Sequence, residues 1–288
     1  MSKLVSIIIP TKNRRALLAQ AMESCCQQTY PNLEIVVVDG ASDDGTQAYV
    51  RSLDDPRIVY VRQEKAEGFV SGLNAGFAIA KGEYLTWSSD DDWCAPQAMA
   101  TLAAVLDADA GVDFVYTDYW MVDADGCVLY PGRVEDPEGL DRDNYVGHCF
   151  LYRRCVYDVL GDYRREFFLV EDYEYWLRVR EQFGMKRLKV PLYYHRMHPS
   201  SLTSIHGPDK MLAAVAGVRR PYITALMHHY QVACWHYHAG RKFQSLCHAC
   251  AAVWLQPWFG PAWRIAVLDI LPVAVVVFLR RYRKSCAA

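Results

Sequence analysis

The sequence predicts an α/β protein with a mostly parallel central sheet and a helical C-terminal segment. Three observations carry this reading. Apolar runs such as "VSIIIPT" and "LEIVVVDG" show no polar alternation, which fits strands buried on both faces. Each run is followed by a stretch with helical spacing, so strand and helix alternate as in βαβ units. At 288 residues the chain can bury one large core and still carry an appendage.

The elements follow in order. "VSIIIPT" is a β-branched strand closed by Pro10, and "RRALLAQAMESCCQQ" spaces Leu17, Leu18, Ala21 and Met22 along one helix face. "LEIVVVDG" is a second strand. "SDDGTQAYVRSL" turns into a helix with Ser42 or Asp43 as its cap. "RIVYVRQE" is a third strand, "GFVSGLNAGFAIA" a helix, and "GEYLTWSS" a fourth strand that runs into "DDDW". From about 97 to 206 the pattern is mixed: helix "PQAMATLAAVLDA", strands "DFVYTDYWMVD" and "CVLYPG", then "GHCFLYRRCVYDVLG", helix "VEDYEYWLRVREQF" and strand "KRLKVPLYYHRMH". Beyond Pro208 the chain reads as helical, aromatic and basic. This divides it into a domain over 1–206 and a tail over 207–288.

The net charge of −2 hides an uneven split. Residues 207–288 hold ten Lys and Arg against Asp209 and Asp269, a net +8, which leaves the first 206 residues at about −10. A basic tail on an acidic body points to an anionic surface. The N-terminus enters "LVSIIIP" directly, which predicts no export leader and a cytoplasmic protein. The ten cysteines, with Cys25 and Cys26 adjacent, lack disulfide spacing and read as reduced thiols. Cysteines and histidines crowd residues 228–250 in a helical, apolar setting, where they read as packing rather than as a zinc site.

Ligands of parallel sheets collect at the carboxyl ends of strands, and Asp39 and Asp90–Asp92 both fall there. Three adjacent carboxylates repel one another unless a cation sits among them. Pro10, Thr11 and Asn13 after the first strand, with Asp39 after the second, offer groups suited to a nucleoside. Asp90–Asp92 offer oxygens to a hard divalent cation that would neutralise a diphosphate. Glu171 and Asp172 at a helix start raise one another's pKa, and one can act as general base.

In "VSIIIPTKNR", "EIVVVDGASDDGT", "EGFVSGLNAGFAIAKGEYLTWSSDDD", "HCFLYRR", "VEDYEYWLR" and "YHRMHPSSLT" the chain resembles the family-2 glycosyltransferases, inverting enzymes of the GT-A fold, over about residues 3–206. The resemblance implies a single Rossmann-like domain. It implies a nucleotide-diphosphate-sugar donor, UDP-sugar favoured, in a pocket of Pro10, Thr11, Asn13, Asp39 and Asp90, with Arg196 on phosphate. Mn²⁺ or Mg²⁺ would sit on the DXD-type motif, with Asp91, Asp92 and His198 as ligands and Asp91 the leading one. Asp172 would be the base, Glu171 its neighbour, and His148 would face a glycan or lipid-linked acceptor of cell-surface polysaccharide synthesis. Two positions depart from the family pattern: Ala66 stands where many relatives have an acid in "ExDxG", and Ser89 where the metal motif often begins with Asp.

Two rival readings are a nucleotidyltransferase, which would need a Gly-rich phosphate loop that "PTKNRRALL" lacks, and an inactive scaffold, which would not need both acidic motifs. The tail has a run of about fifteen mostly apolar residues broken by Asp269 and Pro272, short of the roughly 20 that span a bilayer. Trp254, Trp258, Phe259 and Trp263 with Arg280–Lys284 suit a helix lying on the inner face of a membrane. The alternative is a core or homo-oligomer-forming helix. Aromatics mixed with aliphatics argue against nucleic acid as the tail's partner.

Overall fold

Strand β1 (Val5–Thr11) lies inside the sheet with β2 (Leu33–Asp39) on one side and β4 (Tyr84–Trp87) on the other, both parallel to it. Every residue of β1 and β2 is buried, which is why their sequences carry no polar alternation. In this computed structural model, which describes residues 2–219 and Ser245, β3 (Ile58–Arg62) extends the parallel half beyond β2. Residues 1–214 form one compact unit and 215–288 a second.

Helices cover both faces. On one face Val5, Ile7, Ile9, Ile35 and Val37 share a core with Leu18 and Met22 of α1 (Arg15–Cys26) and with Met99 and Leu102 of α4 (Ala98–Ala108). On the other, α3 (Phe69–Ile79) lies so close that a Cβ on Gly76 would stand 2.4 Å from Ile8 Cγ2. Glycine there sets the distance between helix and sheet.

Past β4 the sheet is mixed, in the order β3-β2-β1-β4-β8-β6-β9-β5 with β7 also on β6. Strand β8 (Phe150–Arg153) is antiparallel to β4 and to β6 (Phe114–Val122), whereas β9 (Met185–Arg196) is parallel to β6. Strand β7 (Val128–Pro131) is the returning arm of a hairpin, and β5 (Trp93–Cys94) pairs antiparallel with β9. Only residues 88–92 join β4 to β5, yet three strands lie between them in the sheet. Four strand spacings of about 4.8 Å use nearly the full reach of those residues at about 3.5 Å each. Because the segment contains a turn, the sheet must curl to bring β5 back toward β4.

Among residues 2–219 the other α-helices are α2 (Thr46–Ser52), α5 (Arg154–Leu160), α6 (Glu171–Gln182) and α7 (Leu202–Arg219). Helix α2 starts later than Ser42 or Asp43 would make it. Gly45, at φ 86°, turns the chain, and the Asp44 carboxylate accepts from Thr46 N at 3.1 Å and Thr46 Oγ1 at 2.6 Å. Helix α7 is kinked at Gly207 and Pro208. Cys25, Cys26, Cys94, Cys127, Cys149 and Cys155 are free thiols. Among the described residues no helix is long and apolar enough to cross a membrane. The expected interfacial segment 254–284 and the cysteine–histidine group at 228–250 lie outside the described residues.

Candidate active site

Four segments meet at the carboxyl end of the sheet: the loop after β1, the acidic loop 88–92, the entry to α6, and the loop after β9. Together with Gly40, the segment 63–72 and His148 they line a cleft of about 440 Å³.

The three aspartates have three different environments. Asp90 is buried; its Oδ2 accepts from Thr11 Oγ1 at 2.7 Å and its Oδ1 from Arg14 Nη1 at 3.1 Å. Burial and the neighbouring Asp91 charge push its pKa up to about 6. Asp91 lines the cleft, and its Oδ2 meets both Arg14 Nη1 at 2.8 Å and His198 Nε2 at 3.0 Å. Asp92 is fully buried and serves as a frame: Oδ1 accepts from Arg196 N at 2.8 Å, and Oδ2 pairs with His195 Nδ1 at 3.0 Å. Burial opposes its ionisation, but His195 overrides that and holds it below the usual carboxylate range.

Asp91 and His198 therefore come together as expected of metal ligands, while Asp92 does not join them. Asp92 groups instead with His148 and His195, whose ligand atoms lie within 4.8 Å of one another and of its own. Those two rings stack at 4.1 Å between centroids and 5° between planes. An ion lying in the plane of one ring would sit well out of the plane of the other, so this arrangement suits a stack better than a shared metal. Burial, with His195 beside it, pushes His148 down to about 3, which leaves it neutral. Burial would also lower His195, but the Asp92 carboxylate prevails and raises it.

Across the cleft, Glu171 and Asp172 open α6. Leu169, just before them, adopts φ 80°, a left-handed conformation that costs a non-glycine residue about 1 kcal/mol or more. Asp172 Oδ1 accepts from Tyr173 N at 2.6 Å and Oδ2 from Asn144 Nδ2 at 2.9 Å. Burial raises its pKa against the pull of both donors. Glu171 is 7% exposed with Oε2 unpartnered, and burial followed by the Asp172 charge pushes it up to about 8. The pair thus offers one carboxylate held by two donors and one with an unpartnered oxygen, and burial raises both.

Pro10, Thr11 and His148 also line the cleft, as expected of binding residues; Asn13, Asp39 and Arg196 do not. Asp39 is fully buried and taken up by Ser42 N at 2.8 Å, Arg62 Nη1 at 3.0 Å and the Tyr60 hydroxyl. Asn13 builds the loop: its Oδ1 accepts from Asp43 N at 2.9 Å, and its N donates to Ser42 Oγ at 2.8 Å. Arg196 is not placed to meet phosphate. Its guanidinium donates to Asp91 O at 3.0 Å, Ala124 O at 2.5 Å and Gln20 Oε1, and lies 4.8 Å from the Trp93 ring centre.

Arg14 brings a guanidinium into the acidic loop, and sequence reasoning missed it because an arginine in "KNRR" reads as a solvated helix start. His195 was missed for a similar reason: in "YHRMH" nothing separates it from its neighbours.

The comparisons with known proteins agree with this architecture. WfaP of Escherichia coli, named as a UDP-Glc:alpha-D-GlcNAc-diphosphoundecaprenol beta-1,3-glucosyltransferase, is 26% identical over 207 residues, which are 70% of this chain and 80% of WfaP. A Rickettsia typhi relative at 31% identity is covered over 58% of its own length. Among solved structures, Staphylococcus aureus TarS in complex with UDP-GlcNAc superposes with a TM-score of 0.64 at 16% identity, over 86% of this chain and 80% of that one. The Pyrobaculum calidifontis mannosyltransferase PcManGT, in complex with GDP-Man and Mn²⁺, gives 0.56 at 17%, over 98% and 80%. These two share the fold, a GT-A architecture. The model of the family described as Glycosyl transferase family 2 matches residues 6–161, more than half of the chain, from β1 through the acidic loop to the end of α5, and the chain belongs to that family.

Proposed function

We propose that this glycosyltransferase moves a sugar from a nucleotide-diphosphate donor, a UDP-sugar favoured, to an acceptor hydroxyl with inversion, assisted by a divalent metal. The observation that carries the reading is the pairing across one cleft of Asp91 with His198 and of Asp172 with its two donors. A carboxylate and an imidazole offer a mixed oxygen–nitrogen set, which suits Mn²⁺ better than Mg²⁺. When bound, the metal offsets charge developing on the diphosphate leaving group. Asp172 takes the acceptor proton, and a single base without a covalent carboxylate fits direct displacement. Glu171 carries its proton and so leaves the base role to its neighbour.

The named donors of WfaP, TarS and PcManGT support a nucleotide sugar, and the Mn²⁺ with PcManGT supports the metal. The WfaP name supports a lipid-linked acceptor in surface glycan synthesis. With it goes a peripheral place on the inner face of the membrane through residues 254–284. The test is a panel of nucleotide sugars assayed for transfer with Mn²⁺ and with chelator, followed by NMR of the anomeric product. Transfer that ignores chelator removes the metal, retention at the anomeric carbon removes direct displacement, and binding without transfer to any acceptor favours the inactive scaffold.

A further inference from the structure

Arg14 places its guanidinium inside the acidic loop. Nη1 donates to Asp90 Oδ1 at 3.1 Å and to Asp91 Oδ2 at 2.8 Å, and Nη2 donates to the Ser200 carbonyl at 2.5 Å. The Asp91 oxygen it holds is the one that faces His198 Nε2. A divalent cation between Asp91 and His198 would use the same lone pairs, and two cations a few ångströms apart in a partly buried site repel strongly.

The backbone aims the side chain. Asn13 takes the left-handed conformation at φ 51°, one that asparagine tolerates better than most residues. It is fixed there by its bonds with Ser42 and Asp43. The Arg14 side chain is 22% exposed, which is low for a free surface arginine. Asp90 supplies a tether away from the metal position, because its other oxygen is turned to Thr11.

We propose that Arg14 is a positioning residue that couples metal binding to donor binding. It acts as the acidic loop's own counter-cation, is displaced from Asp91 by the incoming metal and, still tethered to Asp90, turns to the donor diphosphate. Metal alone has to break charge-assisted hydrogen bonds and so binds roughly 10-fold more weakly than it would without Arg14. Metal with nucleotide recovers that loss, because the freed guanidinium gains phosphate oxygens. The coupling is reciprocal: nucleotide strengthens metal and metal strengthens nucleotide by the same factor. The inference rests on the metal reading proposed above.

The test titrates Mn²⁺ by electron paramagnetic resonance, with and without UDP or GDP, on the wild type, Arg14→Met, Arg14→Lys and Asp91→Ala. Arg14→Met should bind Mn²⁺ alone roughly 10-fold more tightly, and the nucleotide should then add less than it adds in the wild type. Arg14→Lys keeps the charge but lacks the planar fork, so it should fall between the two, and it carries the test if Arg14→Met loses its circular dichroism signature. Mn²⁺ affinity unchanged or weaker in both folded variants, with binding still lost in Asp91→Ala, overturns the role of Arg14 and leaves the metal site standing. No Mn²⁺ binding by any variant overturns both.

Discussion

Asn144 donates its side-chain amide to Asp172 Oδ2 at 2.9 Å, while the Tyr173 backbone N–H occupies Oδ1 at 2.6 Å. Both oxygens of the proposed base are thus stabilised in the ionised form inside a cleft that otherwise favours protonation. Replacing Asn144 by Leu removes one donor without much change in volume. The Asp172 pKa should rise further, and the acid limb of the kcat/KM profile should move up by about one unit, the equivalent of about 1.4 kcal/mol. Rates measured from pH 5 to 9 check this; an unmoved limb would mean that another group sets it.

Asp172→Asn keeps the shape but cannot take a proton. Turnover should fall by roughly 10²–10⁴-fold, with donor affinity little changed. Single-turnover kinetics alongside nucleotide titration separate the two effects. If Glu171→Gln is the inactive variant and Asp172→Asn is not, the two carboxyls exchange roles.

Glu171 gives a stability signature. Its folded pKa of about 8 lies above the ordinary glutamate value of 4.5, so the folded state binds the extra proton between those values. Stability should therefore decline as pH climbs from about 4.5 to 8. Glu171→Gln removes this loss and should stabilise by about 4 kcal/mol at pH 8, or roughly 8–16 °C in Tm. At pH 4.5 the difference should nearly vanish. Thermal melts at the two pH values provide the check.

Gly76→Ala pits two effects against each other. Alanine favours the helix by about 1 kcal/mol. Its Cβ, however, would meet Ile8 Cγ2 at 2.4 Å and Val38 Cγ2 at 3.2 Å, both on buried side chains in the sheet. Overpacking of this kind costs about 1–3 kcal/mol, and at so short an approach it should win. We expect a net drop in Tm of about 3–6 °C, measured by circular dichroism.

Residues 254–284 give a salt-dependent prediction. Each basic residue near an anionic leaflet contributes about 1 kcal/mol, so binding to phosphatidylserine-containing vesicles should weaken as salt rises. Changing Arg280, Arg281, Arg283 and Lys284 to Gln should weaken it further. A chain that ignores vesicles at low salt rules out the membrane role.

The parallel half of the fold was readable because burial on both faces leaves unbroken apolar runs, as in Ile7–Ile9 and Ile35–Val38. The two-residue β5 was not readable, since no periodicity can show in Trp93–Cys94. In the site, the acidic cluster and the Glu171–Asp172 pair could be found from composition at strand and helix ends. What could not be found was the direction of each side chain. Asp90, Asp91 and Asp92 look alike in sequence, but the turn through them sends one toward Thr11, one into the cleft and one beneath β9. Asn13, Asp39 and Arg196 carry the chemistry of ligand-binding groups, and packing turns that chemistry to the scaffold.

The curl that returns β5 to β4 also sets a time at which the site can exist. Asp92 is satisfied by Arg196 N from 104 positions later, and β9 must enter between β6 and β5 to deliver it. A chain leaving the ribosome with only its first six strands already has Thr11 and Arg14 for Asp90 and Asp91, but Asp92 still lacks His195 and Arg196 N, and loop closure over that distance is slow. The partners of Asp92 therefore arrive with β9. A chain cut short before β9 keeps Thr11 and Arg14 but loses His195, Arg196 and His198, so Asp92 stays buried without a partner and the loop lacks half of its frame; an incompletely made enzyme would be inert toward the cell's pool of nucleotide.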